Sequence, residues 1–294
     1  MNIARWAWLL ITLIVGAAAW AQQPTPNIEI LRGVVYRTID GTDLALDLYQ
    51  PAGPTAPMPM ILALHGGAWV SGERTDLRPL YELLAQEGYA VAAIDYRLAP
   101  RWIFPAPLED ARAAVDWLRA HADQYRVDPQ RFFVFGISAG GQLAGLLGAQ
   151  PETSGQFAGV ILLAAPTDLT VKAPNRSAQR TVQQYLGAEQ AAAPALYAAA
   201  SPITHVSPDD PPFLIMHGQA DRYVPPAQSI SMADALRAHG VPVTLLLLPK
   251  IGHEMPAYSS AAGHTALAAM RNFLLNPRAA AGQEKIARKF AERA

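Results

Sequence analysis

An α/β fold with a mostly parallel eight-stranded sheet, helices on both faces and a short inserted cap is what this sequence predicts. Three observations predict it. Six short, almost wholly apolar runs recur along the chain, as strands buried on both faces of a parallel sheet do. Segments with apolar residues at helical spacing separate those runs, which implies βαβ units. Ahead of them, two alternating segments meet at Asp40-Gly41, a strong hairpin dipeptide.

Taken in order, residues 28–39 and 44–49 form the antiparallel hairpin. The apolar runs lie at 60–64, 90–94, 132–135, 160–163, 213–216 and 243–248. Leu77, Leu80, Tyr81, Leu84 and Ala85 share one helical face, and Gly88 can end that helix. Leu108, Ala111, Val115 and Leu118 do the same in a helix starting after Pro107. Residues 229–239, ended by Gly240, and 261–275 supply two more. Pro clusters at 51–59, 100–107, 202–212 and Pro225-Pro226 punctuate the pattern. The Ala- and Gln-rich segment 172–200 has no strand pattern. It reads as one or two helices inserted at the carboxyl edge of the sheet, a cap-like insertion of about 170–205. An ordinary crossover helix with a long loop is the alternative. No internal repeat is visible, and one continuous alternation argues for a single domain over 22–294. Residues 279–294 form a charged amphipathic stretch, read as a surface helix.

Composition narrows the function. The chain has 294 residues, is 51% hydrophobic and only 16% charged, against roughly 25% charged in an average globular protein. That excludes a largely disordered chain, which needs low hydrophobicity and high charge. A net charge of −1 gives no basic surface for nucleic acid. With no cysteine, disulfides, thiolate catalysis, zinc–thiolate sites and iron–sulfur clusters are all excluded. No metal or other cofactor is called for.

Arg5, the apolar run 6–16 and the small-x-small site Ala19-x-Ala21 describe a secretory signal peptide over 1–21. The run is shorter than the roughly 20 residues that span a bilayer. No cysteine follows it to take a lipid. The expected mature chain, 22–294, is exported, periplasmic or secreted, with no stable membrane association after cleavage.

The strongest chemical motif is Gly136-Ile137-Ser138-Ala139-Gly140, a G-x-S-x-G between an apolar strand and the helix-forming run 142–147. That context makes it a nucleophile elbow, a sharp strand-to-helix turn that exposes the serine hydroxyl. A serine needs a base, and the base an orienting acid. Five histidines follow Ser138. His253 lies just past the last apolar strand, after the flexible Gly252. His239 sits at a helix end, His264 within a helix and His205 in a Pro-rich approach to a strand. His217 ends the strand 213–216 and reads as a packed or turn-bonding side chain. For the acid, Asp221 lies in the loop leaving the penultimate strand. Asp209 and Asp210 precede that strand, Asp234 falls in a helix, Asp168 reads as a turn cap at the edge of the site, and Glu254 neighbours the very ring it would have to orient. The loop His65-Gly66-Gly67-Ala68-Trp69 follows the strand 60–64, and its small residues let backbone N–H groups approach a ligand. It is the expected oxyanion loop, with the N–H of Ala139 as a further donor at a helix start.

These residues together resemble the α/β-hydrolase superfamily. More narrowly the chain resembles the hormone-sensitive-lipase-like carboxylesterases and the bifunctional feruloyl and acetyl-xylan esterase group. The resemblance is carried by His65-Gly66-Gly67-Ala68-Trp69 with Ser71-Gly72, by Asp95-Tyr96-Arg97-Leu98-Ala99-Pro100, and by Phe104-Pro105-Ala106-Pro107-Leu108-Glu109-Asp110. The elbow glycines, Ser201-Pro202-Ile203, Pro211-Pro212-Phe213-Leu214, His217-Gly218-Gln219-Ala220-Asp221 and Gly252-His253 complete it. It implies Ser138, Asp221 and His253 as a catalytic triad. It also implies an oxyanion hole of Gly67, Ala68 and Ala139 N–H groups, with Gly66 shaping the loop. Ala68 stands where the lipase-like group usually has a third glycine, and Ile137 where it has an acidic residue. Both point toward the acetyl-xylan-esterase-like group. The expected activity is hydrolysis of short-chain acyl esters, acetyl or feruloyl esters of plant polysaccharide among them, and the expected partner is such a small-molecule or polysaccharide ester. Trp69, Trp102 and Tyr223, near the site loops, are candidates for the substrate pocket, and Phe104 lies close to them in sequence. An amide-cleaving acyl hydrolase, arylformamidase- or peptidase-like, is the nearer alternative. A non-catalytic ligand-binding homologue is the more distant one.

Overall fold

The computed structural model describes residues 27–254 and 256–279. The export signal expected at 1–21 and nearly all of the charged tail expected at 279–294 lie outside the described residues.

The sheet has eight strands, as expected. They are β1 (Ile28–Ile39), β2 (Thr42–Pro51), β3 (Met58–Leu64), β4 (Ala90–Ile94), β5 (Val127–Ile137), β6 (Gly159–Leu163), β7 (Phe213–Gly218) and β8 (Val243–Leu248). Their spatial order is β1-β2-β4-β3-β5-β6-β7-β8. β2 pairs antiparallel with both β1 and β4, and every pairing from β4 to β8 is parallel. The hairpin turns at Asp40 and Gly41, both with positive φ (50° and 71°), as a tight two-residue hairpin loop requires.

Side chains alternate across the sheet and feed two cores. Met60, Leu62, Leu64, Phe132 and Val134 face one, and Ile61, Ala63, Phe133 and Phe135 the other. The first core is covered by α2 (Ala106–Ala120), α4 (Ala139–Ala149) and α7 (Ala227–Ala238). The second is covered by α1 (Arg78–Gln86) and α8 (Ala261–Leu275). A one-turn helix, α3 (Ala122–Tyr125), leads into β5. Truncating a fully buried residue such as Leu62 to alanine in a core of this kind typically costs about 2–5 kcal/mol.

Two boundaries differ from expectation for local reasons. α2 begins at Ala106, so Pro107 lies inside its first turn, where no intrahelical N–H bond is lost. β5 starts five residues before the apolar run at 132. Val127 and Asp128 pair with Met58 and Pro59, and the register then shifts before Phe132 meets Met60. The connection from β6 to β7 carries two helices, α5 (Arg176–Leu186) and α6 (Pro194–Ala199). Asn175 caps α5 by accepting from the Ala178 N–H, and Gly187 ends it in the left-handed conformation. No described helix is long and apolar enough to cross a membrane.

Candidate active site

The carboxyl ends of β3, β5, β7 and β8 meet at one edge of the sheet, and their loops bring Ser138, Asp221 and His253 together. Ser138 joins β5 to α4 with φ 53° and ψ −119°, a conformation costly for a residue with a side chain. The chain around it leaves no alternative. A Cβ on Gly136 would lie 2.1 Å from the carbonyl oxygen of Gly140, and one on Gly140 would lie 2.3 Å from the carbonyl oxygens of Leu64 and His65. The turn is pinned by the Ser138 N–H, which donates to the Leu163 carbonyl at 2.8 Å.

The Nε2 of His253 lies 2.8 Å from Ser138 Oγ, and its Nδ1 lies 2.7 Å from Asp221 Oδ2. The imidazole is partly exposed, while the Asp221 carboxylate is fully buried. The other carboxylate oxygen accepts the N–H groups of Tyr223 and Val224 at 2.8 and 3.0 Å. Burial alone would raise the Asp221 pKa. Hydrogen bonds from His217, His253, Val224 and Tyr223 outweigh it and hold the carboxyl well below the usual carboxylate range. The acid and base loops support each other, with the Ala220 N–H donating to the Ile251 carbonyl at 2.8 Å.

Facing the serine is the loop after β3. Gly67, Ala68 and Trp69 have successive positive φ values of 106°, 56° and 62°. The Gly67 carbonyl accepts from the N–H groups of Val70 and Ser71 and from the Ser71 hydroxyl. Among the described residues, no group accepts from the N–H of Gly67 or Ala68. Both residues line the cavity beside Ser138 and Ala139. Gly66 does not. Its carbonyl accepts the Nδ1–H of His65 at 2.7 Å, and a Cβ there would sit 3.5 Å from the Ser138 Cβ. It therefore gives the loop room to pass the nucleophile. Burial lowers the His65 pKa, and the ring stacks on Tyr96. Gly67→Ala is expected to be damaging, because its Cβ would land 2.0 Å from the Ser71 carbonyl oxygen. The loop must move, and displaced donors of this kind cost about 10²–10³-fold in rate. Kinetics and a thermal melt of the variant check both effects.

The cavity over these groups measures about 780 Å³, within the range of small-molecule sites. The β6–β7 connection lines it with residues that include Leu169, Val171, Val182 and Tyr197, and the loop after β7 adds Val224 and Pro225. Of the expected pocket aromatics, Tyr223 lines the cavity with its ring 5.6 Å from that of His253, and it is 73% exposed. Trp69 also reaches the wall, yet it is buried. Its ring stacks on Tyr185 at 4.2 Å and its Nε1–H donates to Gln142 Oε1 at 2.9 Å. Trp102 is a correction, since it is not part of the cavity wall. The Arg101 guanidinium lies over its ring at 4.1 Å, a cation–π contact. Phe104 packs edge-on against Tyr185.

The other candidates fall where their elements put them. Asp168 caps its own turn through Thr170 and borders the cavity. Asp210 bonds Ser207 before β7, and Asp234 pairs with Arg237 on α7. His205 and His239 bond backbone carbonyls, and His264 lies in α8. Gln142 and Gln228 are supporting side chains that were not among the candidates, and His217, read as a packed or turn-bonding side chain, is a third. Gln142 ties Trp69 to the Ala200 carbonyl. Gln228 accepts from the N–H groups of Thr167 and Asp168. His217 bonds Asp221 itself. Gln142 had a signal, as a polar residue inside a helix otherwise built of alanine, glycine and leucine.

A family model described as BD-FAE matches residues 46–236. The chain is 32% identical over 245 residues to a Mycobacterium tuberculosis protein described as "Probable carboxylic ester hydrolase LipM", covering 73% of this chain and 53% of that one. It is 33% identical over 235 residues to an ethyl acetate hydrolase of Pseudomonas putida, covering 74% and 73% respectively. The chain spans between 53% and 59% of the length of three Mycobacterium tuberculosis relatives that it matches. Among solved structures, esterase 2 of Thermogutta terrifontis phosphonylated by sarin superposes with a TM-score of 0.73 at 27% identity, covering 87% of this chain and 98% of that one. Its propionate-bound form superposes with a TM-score of 0.71 at 28% identity, covering 86% and 94%.

Proposed function

Because the chain belongs to the BD-FAE family of esterase-like α/β-hydrolases, we propose that it is a serine carboxylesterase acting on short-chain acyl esters. The observation that carries this reading is the unbroken hydrogen-bonded series from Ser138 through His253 to Asp221 at the floor of the cavity. His253 takes the Ser138 proton as Oγ attacks the acyl carbon. Asp221 keeps the proton of the ring on Nδ1 and stabilises the imidazolium that forms. The tetrahedral oxyanion settles on the N–H groups of Gly67, Ala68 and Ala139. The alcohol leaves with the proton from His253. Water, deprotonated by His253, then hydrolyses the acyl-enzyme.

The relative described as an ethyl acetate hydrolase and the propionate-bound neighbour support small acyl groups. The exposed Tyr223 ring beside His253 supports a larger alcohol side, such as a sugar or an aryl group. Acetyl and feruloyl esters of plant polysaccharide fit both features. The reading of 1–21 as an export signal is consistent with such an extracytoplasmic substrate. The test is a panel of p-nitrophenyl esters from C2 to C12 beside acetylated xylan, with the matching anilides. The expected result is the highest kcat/KM at C2–C4 and acetate release from xylan, with little anilide cleavage. A maximum at C10–C12, or anilides cleaved as fast as esters, would overturn it.

A further inference from the structure

Asp221 carries a second imidazole. His217, near the end of β7, is fully buried four residues before the acid. Its Nε2 lies 3.1 Å from Asp221 Oδ2 and 2.9 Å from the carbonyl oxygen of Val224. Neither oxygen can donate, so the proton sits on Nε2 and is shared between them. Its Nδ1 lies 2.6 Å from the hydroxyl of Ser229, a fully buried residue in the first turn of α7. Among the described residues Ser229 Oγ has no other side-chain or loop partner, and its hydroxyl donates to Nδ1. That bond holds the ring in the tautomer that Asp221 needs.

Asp221 Oδ2 therefore accepts from two rings at once, while Oδ1 accepts from two backbone N–H groups. We infer that His217, held by Ser229, is a positioning residue of the hydrolytic reaction: it fixes the carboxylate plane against which His253 is oriented. The inference rests on the triad reading of Ser138, His253 and Asp221. Its physical content is a carboxylate with all of its rotational freedom removed. With the His217 bond gone, Oδ1 keeps its two backbone bonds but Oδ2 is held by His253 alone, so the carboxylate can tilt with the imidazole away from Ser138. The same Nε2–H also ties the end of β7 to the Val224 carbonyl, so the acid loop is closed by the ring that steadies the acid.

The experiment compares His217→Leu, His217→Gln and Ser229→Ala, each alone and combined with Asp221→Ala. kcat and KM for p-nitrophenyl acetate are expressed per folded molecule, with the folded fraction taken from circular dichroism. Partners that orient the ligands of a bound metal are worth about ten- to a hundredfold, and the same order is expected for a partner that orients the Asp221 carboxylate. His217→Leu is therefore expected to lower kcat by that factor with KM within about twofold. His217→Gln, whose amide nitrogen reaches the place of Nε2, recovers most of the loss. Ser229→Ala, which removes one buried oxygen and leaves the fold intact, costs several-fold. In the Asp221→Ala background all three effects disappear, because residues acting through a shared partner are non-additive. The inference is overturned if the His217 effects persist without Asp221, or if glutamine is no better than leucine. Activity surviving in Ser138→Ala would instead overturn the triad reading, an outcome these variants do not produce.

Discussion

Replacing Ser138 with alanine is expected to lower kcat/KM for p-nitrophenyl acetate on the order of 10⁶-fold, with the melting temperature unchanged. The factor is large because, among the described residues, Ser138 is the hydroxyl that His253 bonds. The remaining rate comes from whatever the oxyanion N–H groups and the cavity give to attack by water. The fold is expected to survive because the elbow is held by backbone. The Ser138 N–H still donates to Leu163, and the Gln142 N–H still donates to the carbonyl of residue 138. The φ of 53° is equally strained for alanine and serine, so that cost cancels in the comparison. Michaelis–Menten kinetics alongside a thermal melt check both halves. A variant keeping a tenth of the activity would show that Ser138 is not the nucleophile. A collapsed melting temperature would show that its hydroxyl has a structural role that the hydrogen bonds do not reveal. A fluorophosphonate probe should label the parent protein and leave the variant unmodified.

The strands at 90–94 and 243–248, the hairpin at Asp40-Gly41 and the helix at 261–275 could be read from residue patterns because each is a local matter. A short apolar run bounded by turn residues is the usual pattern of a strand in a parallel sheet covered by helices, and it fits both the inner strand at 90–94 and the edge strand at 243–248. The G-x-S-x-G elbow is local too, since its glycines are required by contacts with the adjoining strand and helix. His253 and Asp221 were legible by a weaker route, from their places after the last two strands, because loops at the carboxyl ends of parallel strands share one edge of the sheet. Legibility stopped where function depends on which way a side chain turns. His217 lies on an apolar strand, and nothing local shows whether its ring meets a hydroxyl, a carbonyl or the Asp221 carboxylate. Trp102 and Trp69 lie in similar loops. Trp102 lies under the guanidinium of its neighbour Arg101, while Trp69 is held against Tyr185, a partner distant in sequence. The early start of β5 had no signal either. Val-Asp-Pro-Gln-Arg does not read as a strand, and it is one only because Met58 and Pro59 of the neighbouring strand offer it a ladder.

Asp221→Asn is expected to lower kcat by about 10⁴-fold, and the structure says why a nearly isosteric change is so costly. An amide has one acceptor oxygen where the carboxylate has two. The N–H groups of Tyr223 and Val224 claim that oxygen, because both donate to the position of Oδ1. Turning the amide over would set its NH₂ against two backbone donors. The NH₂ must therefore face His253 and His217. His253 Nδ1 then becomes an acceptor, its proton moves to Nε2, and Nε2 can no longer take the proton of Ser138. His217 meets the same NH₂ with its own Nε2–H and must lose either its bond to residue 221 or, by changing tautomer, its bond to Val224. One substitution thus mis-sets both imidazoles. Because the defect is one of tautomer, raising the pH restores activity, as hydroxide removes the proton that His253 cannot accept. The expected signature is a kcat that climbs with pH above neutrality in Asp221→Asn while the parent enzyme stays level. A flat profile in the variant, or a loss below tenfold, would mean that Asp221 does not set the tautomer of the base.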